Sequence, residues 1–400
     1  MAPLQNSQAI PFARPSLGPE EEEAVLRVMR SGWLTTAGEA AAFEQEFSTF
    51  LNASHALAVN SATSGLHLAL EALGVGQGDR VAMSPFTFTS CAEVCRYCGA
   101  EPFFVDIGED SLLIDPNALE QRLRHGTGGE GERVKAVMPV HFAGEPCDMG
   151  AIGALARSRE LRVVEDAAHA FPVSGEQGDV GTLGDVGVFS FYANKTITTG
   201  EGGMVITGDK SLADRMRLMR MHGIDRDVWD RYRSPGKRWY YEVVEAGFKY
   251  NMPDLLAAIG RVQLSRAEEL KESRRRIAER YVARLADREY LRLPRPKGDH
   301  AWHLFVIRLV RKELSVDRDE FIRRLGELGI GASVHYLPLH LMPYWRNRLG
   351  LTPEMFPRAT ERYEEVVSLP IWPGMSEEQV ERVVEAVRSV GDSAYRRNGR

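Results

Sequence analysis

The sequence predicts an α/β protein with a large unit on a mostly parallel, mixed sheet and a smaller C-terminal α+β unit. Three observations carry that prediction. Between about residues 56 and 207, short apolar runs alternate with helical patterns, which is the rhythm of βα units. A long helical pattern over 254–286 then breaks the rhythm, and beyond Leu291 strand and helix patterns form a compact mixture. No internal repeat, low-complexity tract or Pro/Gly/Ser-rich linker separates the two parts, so they are expected to pack together.

Residues 1–14 read as an arm, 15–260 as the large unit, and 261–400 as a bridging helix with the small unit. A helix starts near Pro19, and the glutamates at 20–23 suit the positive end of its dipole. The apolar runs fall at 56–59, 80–84, 102–107, 134–140, 161–164, 186–191 and 204–207. After the first run, Leu66, Leu70 and Leu73 recur at i, i+4 and i+7, one face of a helix that lies on the sheet, and Gly74 and Gly76 end it. The charged stretch 266–284 reads as a solvated bridging helix. The small unit is expected to hold strands at 302–309 and 332–336 and helices at 318–328 and 376–390. In such sheets ligands sit beyond the carboxyl ends of the strands, so the residues just after each run are the ones to inspect.

Composition narrows the function. The 400 residues carry 50 Lys+Arg against 56 Asp+Glu, a net charge of −6. No basic field of the kind nucleic acid needs is present. No apolar stretch approaches a membrane span, and the first ten residues lack a secretion signal, so a cytoplasmic protein is expected. Four cysteines in a chain of this length do not form a secreted disulfide framework.

Three segments after predicted strands carry chemical groups. Asn60-Ser61-Ala62-Thr63-Ser64-Gly65 opens the Leu66 helix. Its free N–H groups and hydroxyls suit one phosphate, or serve as a simple cap. Glu165-Asp166-Ala167-Ala168-His169 places an aspartate where its carboxylate can hold a ring nitrogen protonated, or cap another helix; His169 can pack beside a ring or fill a polar core position. The segment 189–203 carries Lys195 in a glycine-rich loop between two apolar strands. A lysine is ordinarily solvated, but in a partly dry site it can lose its proton and join an aldehyde covalently. Only the combination with the cap and the aspartate favours that second reading.

The order of these pieces resembles the DegT/DnrJ/EryC1/StrS family of sugar aminotransferases. The resemblance rests on Ser31-Gly-Trp-Leu-Thr-Thr-Ala-Gly38, Asn60-Ser-Ala-Thr-Ser-Gly-Leu-His67, Ser84-Pro-Phe-Thr-Phe-Thr89, Pro139-Val-His-Phe-Ala-Gly144, Glu165-Asp-Ala-Ala-His169, the segment 189–203, Met221-His-Gly223, the segment 247–260 and Val334-His-Tyr-Leu-Pro-Leu-His340. It implies a fold-type-I architecture that binds pyridoxal 5′-phosphate (PLP) and cycles it through pyridoxamine phosphate (PMP). By that resemblance Lys195 holds the cofactor aldehyde, Asp166 pairs with the pyridine nitrogen, Phe88 stacks on the ring and His169 lies near its hydroxyl edge. Ala62, Thr63 and Ser190 would hold the phosphate. Asn251 from a neighbouring subunit would complete the site, which implies a homodimer, and His335 and Tyr336 would line the substrate side. L-glutamate and a nucleotide-linked keto-sugar are the implied substrates. A dehydratase or a cyclitol aminotransferase would use the same Lys195 and Asp166, and a non-catalytic ligand-binding regulator is a reading of another class. Some relatives carry histidine in place of the lysine and dehydrate instead, so Lys195 favours transamination.

Two further features remain. Cys91, Cys95 and Cys98 have the spacing of a radical SAM iron–sulfur motif, but i, i+4 and i+7 is also one helix face, and core packing is the reading kept here. The segment 225–241 gathers Arg226, Arg231, Arg233, Lys237 and Arg238 with Trp229, Trp239 and Tyr240, groups that suit a nucleotide diphosphate or an ordinary solvated loop equally. Arg14 and the arginines of 226–238 are candidates for holding a glutamate carboxylate.

Overall fold

The computed structural model describes residues 9–124, 133–175, 177–225 and 239–396. In the large unit the order is α1 (Pro19–Ser31), α2 (Gly38–Phe50), β1 (His55–Val59), α3 (Ala62–Ala72), β2 (Asp79–Met83), α4 (Ser90–Tyr97), β3 (Glu101–Phe104), α5 (Pro116–Arg124) and β4 (Arg133–Val137). It continues with α6 (Met149–Ser158), β5 (Arg162–Asp166), the short pair β6 (Ser174–Gly175) and β7 (Gly178–Asp179), β8 (Val186–Ser190), β9 (Gly203–Thr207) and α7 (Lys210–Met219). Each predicted apolar run overlaps one strand of a seven-stranded sheet ordered β1-β9-β8-β5-β4-β2-β3. β9 alone runs antiparallel to its neighbours; the pairs from β8 to β3 are parallel. The central strands are buried on both faces, as continuous Val/Ile-rich runs require.

This topology positions the site. The six strands that share a direction end at one edge of the sheet, where Asn60, Ser84, Pro139, Asp166 and Ser190 lie at or just beyond strand ends. Helix α3 lies hard against the sheet at Gly65, where a Cβ would come within 2.8 Å of Val188 and 2.9 Å of Val205. Only glycine permits that approach.

The smaller unit follows α8 (Asp254–Ser265) and α9 (Ala267–Leu285). It contains β10 (Leu291–Arg292), β11 (Phe305–Leu309), α10 (Arg318–Glu327), α11 (Pro343–Leu349), α12 (Pro357–Glu365), β12 (Val366–Leu369) and α13 (Glu377–Ala394). Strands β10, β11 and β12 form an antiparallel sheet whose core gathers Tyr281, Phe305, Phe321, Leu325, Val383 and Val387. Ile10 is buried in the same core and bridges to Ile330, so the N-terminal arm is docked there. Among the described residues no helix is long and apolar enough to cross a membrane.

Three expectations are corrected. The pattern over 254–286 is two helices, because Arg266 leaves helical geometry (φ −106°, ψ 5°) where it and Gln263 reach back to Glu21 of α1. The charged stretch is not simply solvated, because Arg274 is buried among backbone carbonyls. The strand expected at 332–336 reduces to one bridge, Ser333 to Ser368. There the chain turns away, with His335 Nδ1 bonded to Ser368 Oγ at 2.9 Å and its ring stacked on Phe12.

Candidate active site

The turn into α3 is built by its own hydroxyls. Ser61 Oγ accepts from the Ser64 N–H at 3.1 Å, and Ser64 Oγ donates to Asn60 Oδ1 at 2.7 Å. The segment is therefore a cap in its side chains. The backbone N–H groups of Ala62 and Thr63, the first two of the helix, are not consumed by that cap and remain available to an anion. Ser190, at the end of β8, pairs in register with Gly203, and a Cβ at Gly203 would come within 2.9 Å of Ala62 N. Ser190 thus flanks the opening of α3.

Strand alternation separates the two acids that end β5. Glu165 is fully buried and accepts from His141 Nε2 at 3.1 Å and from the backbone N–H groups of Gly181, Leu183 and Gly184. It is a strut. Asp166 faces the other way: its Oδ1 accepts from the Ala168 N–H at 3.0 Å and its Oδ2 from the Cys91 thiol at 2.9 Å.

Lys195 sits half-buried in the loop between β8 and β9, and its Nζ lies 3.4 Å from His303 Nε2. The loop is anchored by Arg274, which donates to the Asn194 carbonyl at 3.3 Å while also holding Ile371, Trp302 and His303 carbonyls. Burial pulls the Lys195 ammonium down to about 7, against the opposing pull of Asp166 and with a further push from Arg274. Burial likewise keeps His169 and His303 neutral, well below the ordinary histidine value, with the Lys195 charge acting in the same direction. His335 is lowered to about 4 by the same two causes.

These side chains converge. His169 Nδ1 accepts from the Ala143 N–H at 3.2 Å, which places its proton on Nε2 and directs it at Tyr336 Oη 3.2 Å away. The His169 and His303 rings are 4.4 Å apart. Tyr336 is raised by burial and then by Asp166 and Cys91, so it remains a neutral phenol beside the carboxylate. Lys195, Asp166, His169 and Tyr336 therefore form one cluster, with His335 at its rim.

The other candidates lie around this cluster. Phe88 is 55% exposed and tilts toward Tyr336 with ring centroids 5.8 Å apart, so one face remains open. Asn251 bridges to Val59 beside the start of α3, and its amide is bonded to Lys249 and Thr36 of the same chain. Cys91, Cys95 and Cys98 lie on or at the end of α4; the first two are fully buried and Cys98 is half-buried, as a helix face in the core requires. Arg14 is exposed. The residues 226–238, with Arg226, Trp229, Arg231, Arg233, Lys237 and Arg238, lie outside the described residues; Trp239 and Tyr240 are exposed.

Two members of the site go beyond the sequence reading. His303 gives only a weak signal there, one histidine in the apolar run 301–305. Arg274 gives none, since it is one of several arginines on a charged helix.

The lowered Lys195 value makes a direct prediction. In cofactor-free protein, the rate of covalent capture of an added aldehyde should rise with pH and reach its midpoint near 7, because only the neutral amine attacks. Stopped-flow absorbance over a pH series measures this. A midpoint near the ordinary lysine value of about 10.4 would show that Lys195 is solvated.

Comparison with known proteins places this geometry. A model of the DegT/DnrJ/EryC1/StrS aminotransferase family matches residues 15–388. The spore coat polysaccharide biosynthesis protein SpsC of Bacillus subtilis is 44% identical over 384 residues, 95% of this chain and 97% of that protein. Spr1654 of Streptococcus pneumoniae, named as a sugar aminotransferase and solved in its PMP form, superposes with a TM-score of 0.88 at 28% identity, covering 96% of this chain and 99% of its own. PseC of Helicobacter pylori, an aminotransferase of pseudoaminic acid biosynthesis, gives 0.87 at 28% identity, covering 96% and 100%.

Proposed function

The chain belongs to the DegT/DnrJ/EryC1/StrS aminotransferase family, and from that premise we propose that it transfers an amino group from L-glutamate to a nucleotide-linked keto-sugar. One observation carries the reading: a lysine held near neutrality faces a hydrogen-bonded aspartate at the sheet edge where α3 leaves two backbone N–H groups free. That donor set fits PLP. A phosphate needs the Ala62 and Thr63 N–H groups and the Ser190 hydroxyl, a pyridinium nitrogen needs the Asp166 carboxylate, and an aldehyde needs the Lys195 amine.

When bound, the cofactor supplies an aldehyde that takes up amines and a ring that holds the electron pair released as a C–H bond breaks. The rest falls to the protein. Lys195, lowered to about 7 and so largely neutral above that pH, would accept a proton from the amino-acid α-carbon and deliver it to the cofactor's C4′, the work of a general base and then acid. Asp166 holds the positive charge on the ring nitrogen. His169, neutral and directed at Tyr336, would lie near the ring's hydroxyl edge, and Phe88 would offer it a flat face. His303 and Arg274 are both buried; Arg274 fixes the loop that carries Lys195 through the Asn194 carbonyl, and His303 lies against the lysine amine.

The site is proposed to be completed by Asn251 of the partner subunit in a homodimer. The exposed Leu26 and Met29 on α1 and the nearby Leu34 offer apolar surface to a second copy. The polysaccharide role in the name of the Bacillus relative supports an amino sugar for a surface polysaccharide as the product.

Purified protein loaded with PLP should lose its visible band on addition of glutamate and regain it on addition of one member of a panel of nucleotide-linked keto-sugars. A spectrum indifferent to glutamate overturns the donor. Recovery with a free cyclitol ketone alone overturns the sugar nucleotide.

A further inference from the structure

We propose that Cys91 is a positioning residue that sets the orientation of the Asp166 carboxylate. The inference rests on the function proposed above and on a contact separate from Lys195. Helix α4 brings the Cys91 thiol to 2.9 Å from Asp166 Oδ2, while Ala168 N–H holds Oδ1 at 3.0 Å. The two oxygens are thus held by donors from two different segments, which fixes rotation about the terminal carboxylate torsion. A ring nitrogen that approaches Asp166 meets a carboxylate already aimed.

The thiol suits this task. Cys91 is completely buried, and Thr87 Oγ1 lies 3.3 Å from its sulfur. Burial and the adjoining anion push the thiol well above its ordinary value, so the proton stays on sulfur and points at oxygen. A thiol is a weak donor. It can orient Oδ2 without competing strongly for the lone pair that a pyridinium N–H needs. The same residue that packs the α4 face into the core therefore also touches the group that governs the ring charge.

The test separates this hydrogen bond from packing by using two side chains of nearly equal shape. C91T keeps a hydroxyl donor and C91V does not. Glutamate-dependent turnover should fall about tenfold in C91V, with KM for glutamate changed by less than about twofold, and C91T should stay within about threefold of the parent protein. Equal loss in both, or no loss in either, overturns the proposal. A second measurement needs neither cofactor nor activity. The infrared S–H stretch assigned to Cys91 by its absence in C91T should lie at low frequency in cofactor-free protein and move up in D166N, where an amide NH₂ takes the place of the accepting oxygen. A band indifferent to D166N overturns the contact. If the parent protein ignores glutamate, the proposed function fails, and this infrared result still decides the thiol–carboxylate contact.

Discussion

Lys195→Ala is expected to lower turnover by about 10⁴-fold or more while the protein still binds PLP through its phosphate and ring contacts. The substitution removes both roles of the amine, covalent capture and proton transfer, and groups acting as a unit fail together. Neighbouring groups are poor substitutes: burial lowers both His169 and His303 well below the ordinary histidine value, which makes them weak bases, and His169 is already bonded to Ala143 N–H and Tyr336. Among the described residues, the other lysine bonded to a candidate site residue is Lys249, which contacts Asn251. Borohydride reduction of the loaded parent protein followed by peptide mass spectrometry decides between them, and an adduct on Lys249 overturns the assignment of Lys195. The same variant reports on stability. The ammonium is lowered from 10.5 to about 7, so between those values the unfolded chain binds more protons than the folded one, and the cofactor-free parent gains stability as pH rises through that window. Lys195→Ala should lose that slope, which thermal melts at several pH values would show.

Much of this arrangement is legible in the sequence, for reasons that can be traced to particular residues. Strands buried on both faces leave continuous apolar runs, so the positions of β1 to β5, β8 and β9 are visible, and the residues after them mark the sheet edge. The reversed direction of β9 is not visible, because pairing direction depends on where a loop returns and not on local composition. The cap at Ser61 is visible because hydroxyls at a helix start have a local signature. Arg274 has no such signature: its position on α9 looks solvated until the small unit folds over it and supplies backbone carbonyls. His303 lies outside the motifs for the same reason, since its 3.4 Å approach to Lys195 joins segments 108 residues apart. The cysteines show both sides of this. Their spacing gives the buried helix face correctly, but nothing local discloses that Cys91 ends against Asp166.

Asp166→Asn should keep the visible colour of the loaded protein and lower turnover by about 10²- to 10³-fold, with KM for glutamate nearly unchanged. The direction follows from the donors already in place. Ala168 N–H, 3.0 Å from Oδ1, demands an acceptor, so the asparagine oxygen must take that position. Its NH₂ group then occupies the place of Oδ2. It would present N–H donors to the Cys91 thiol and to the ring nitrogen, and a nitrogen facing a donor is favoured in its unprotonated form. The ring loses the charge that lets it hold an electron pair, while the phosphate and Lys195 contacts that retain the cofactor are untouched. Pre-steady-state absorbance after mixing with glutamate isolates this step from product release. The loss should appear in the rate of band disappearance and not in its amplitude at saturating cofactor. Turnover equal to the parent would remove Asp166 from the chemistry, and loss of cofactor with an unaltered rate in the bound fraction would reduce it to a binding group.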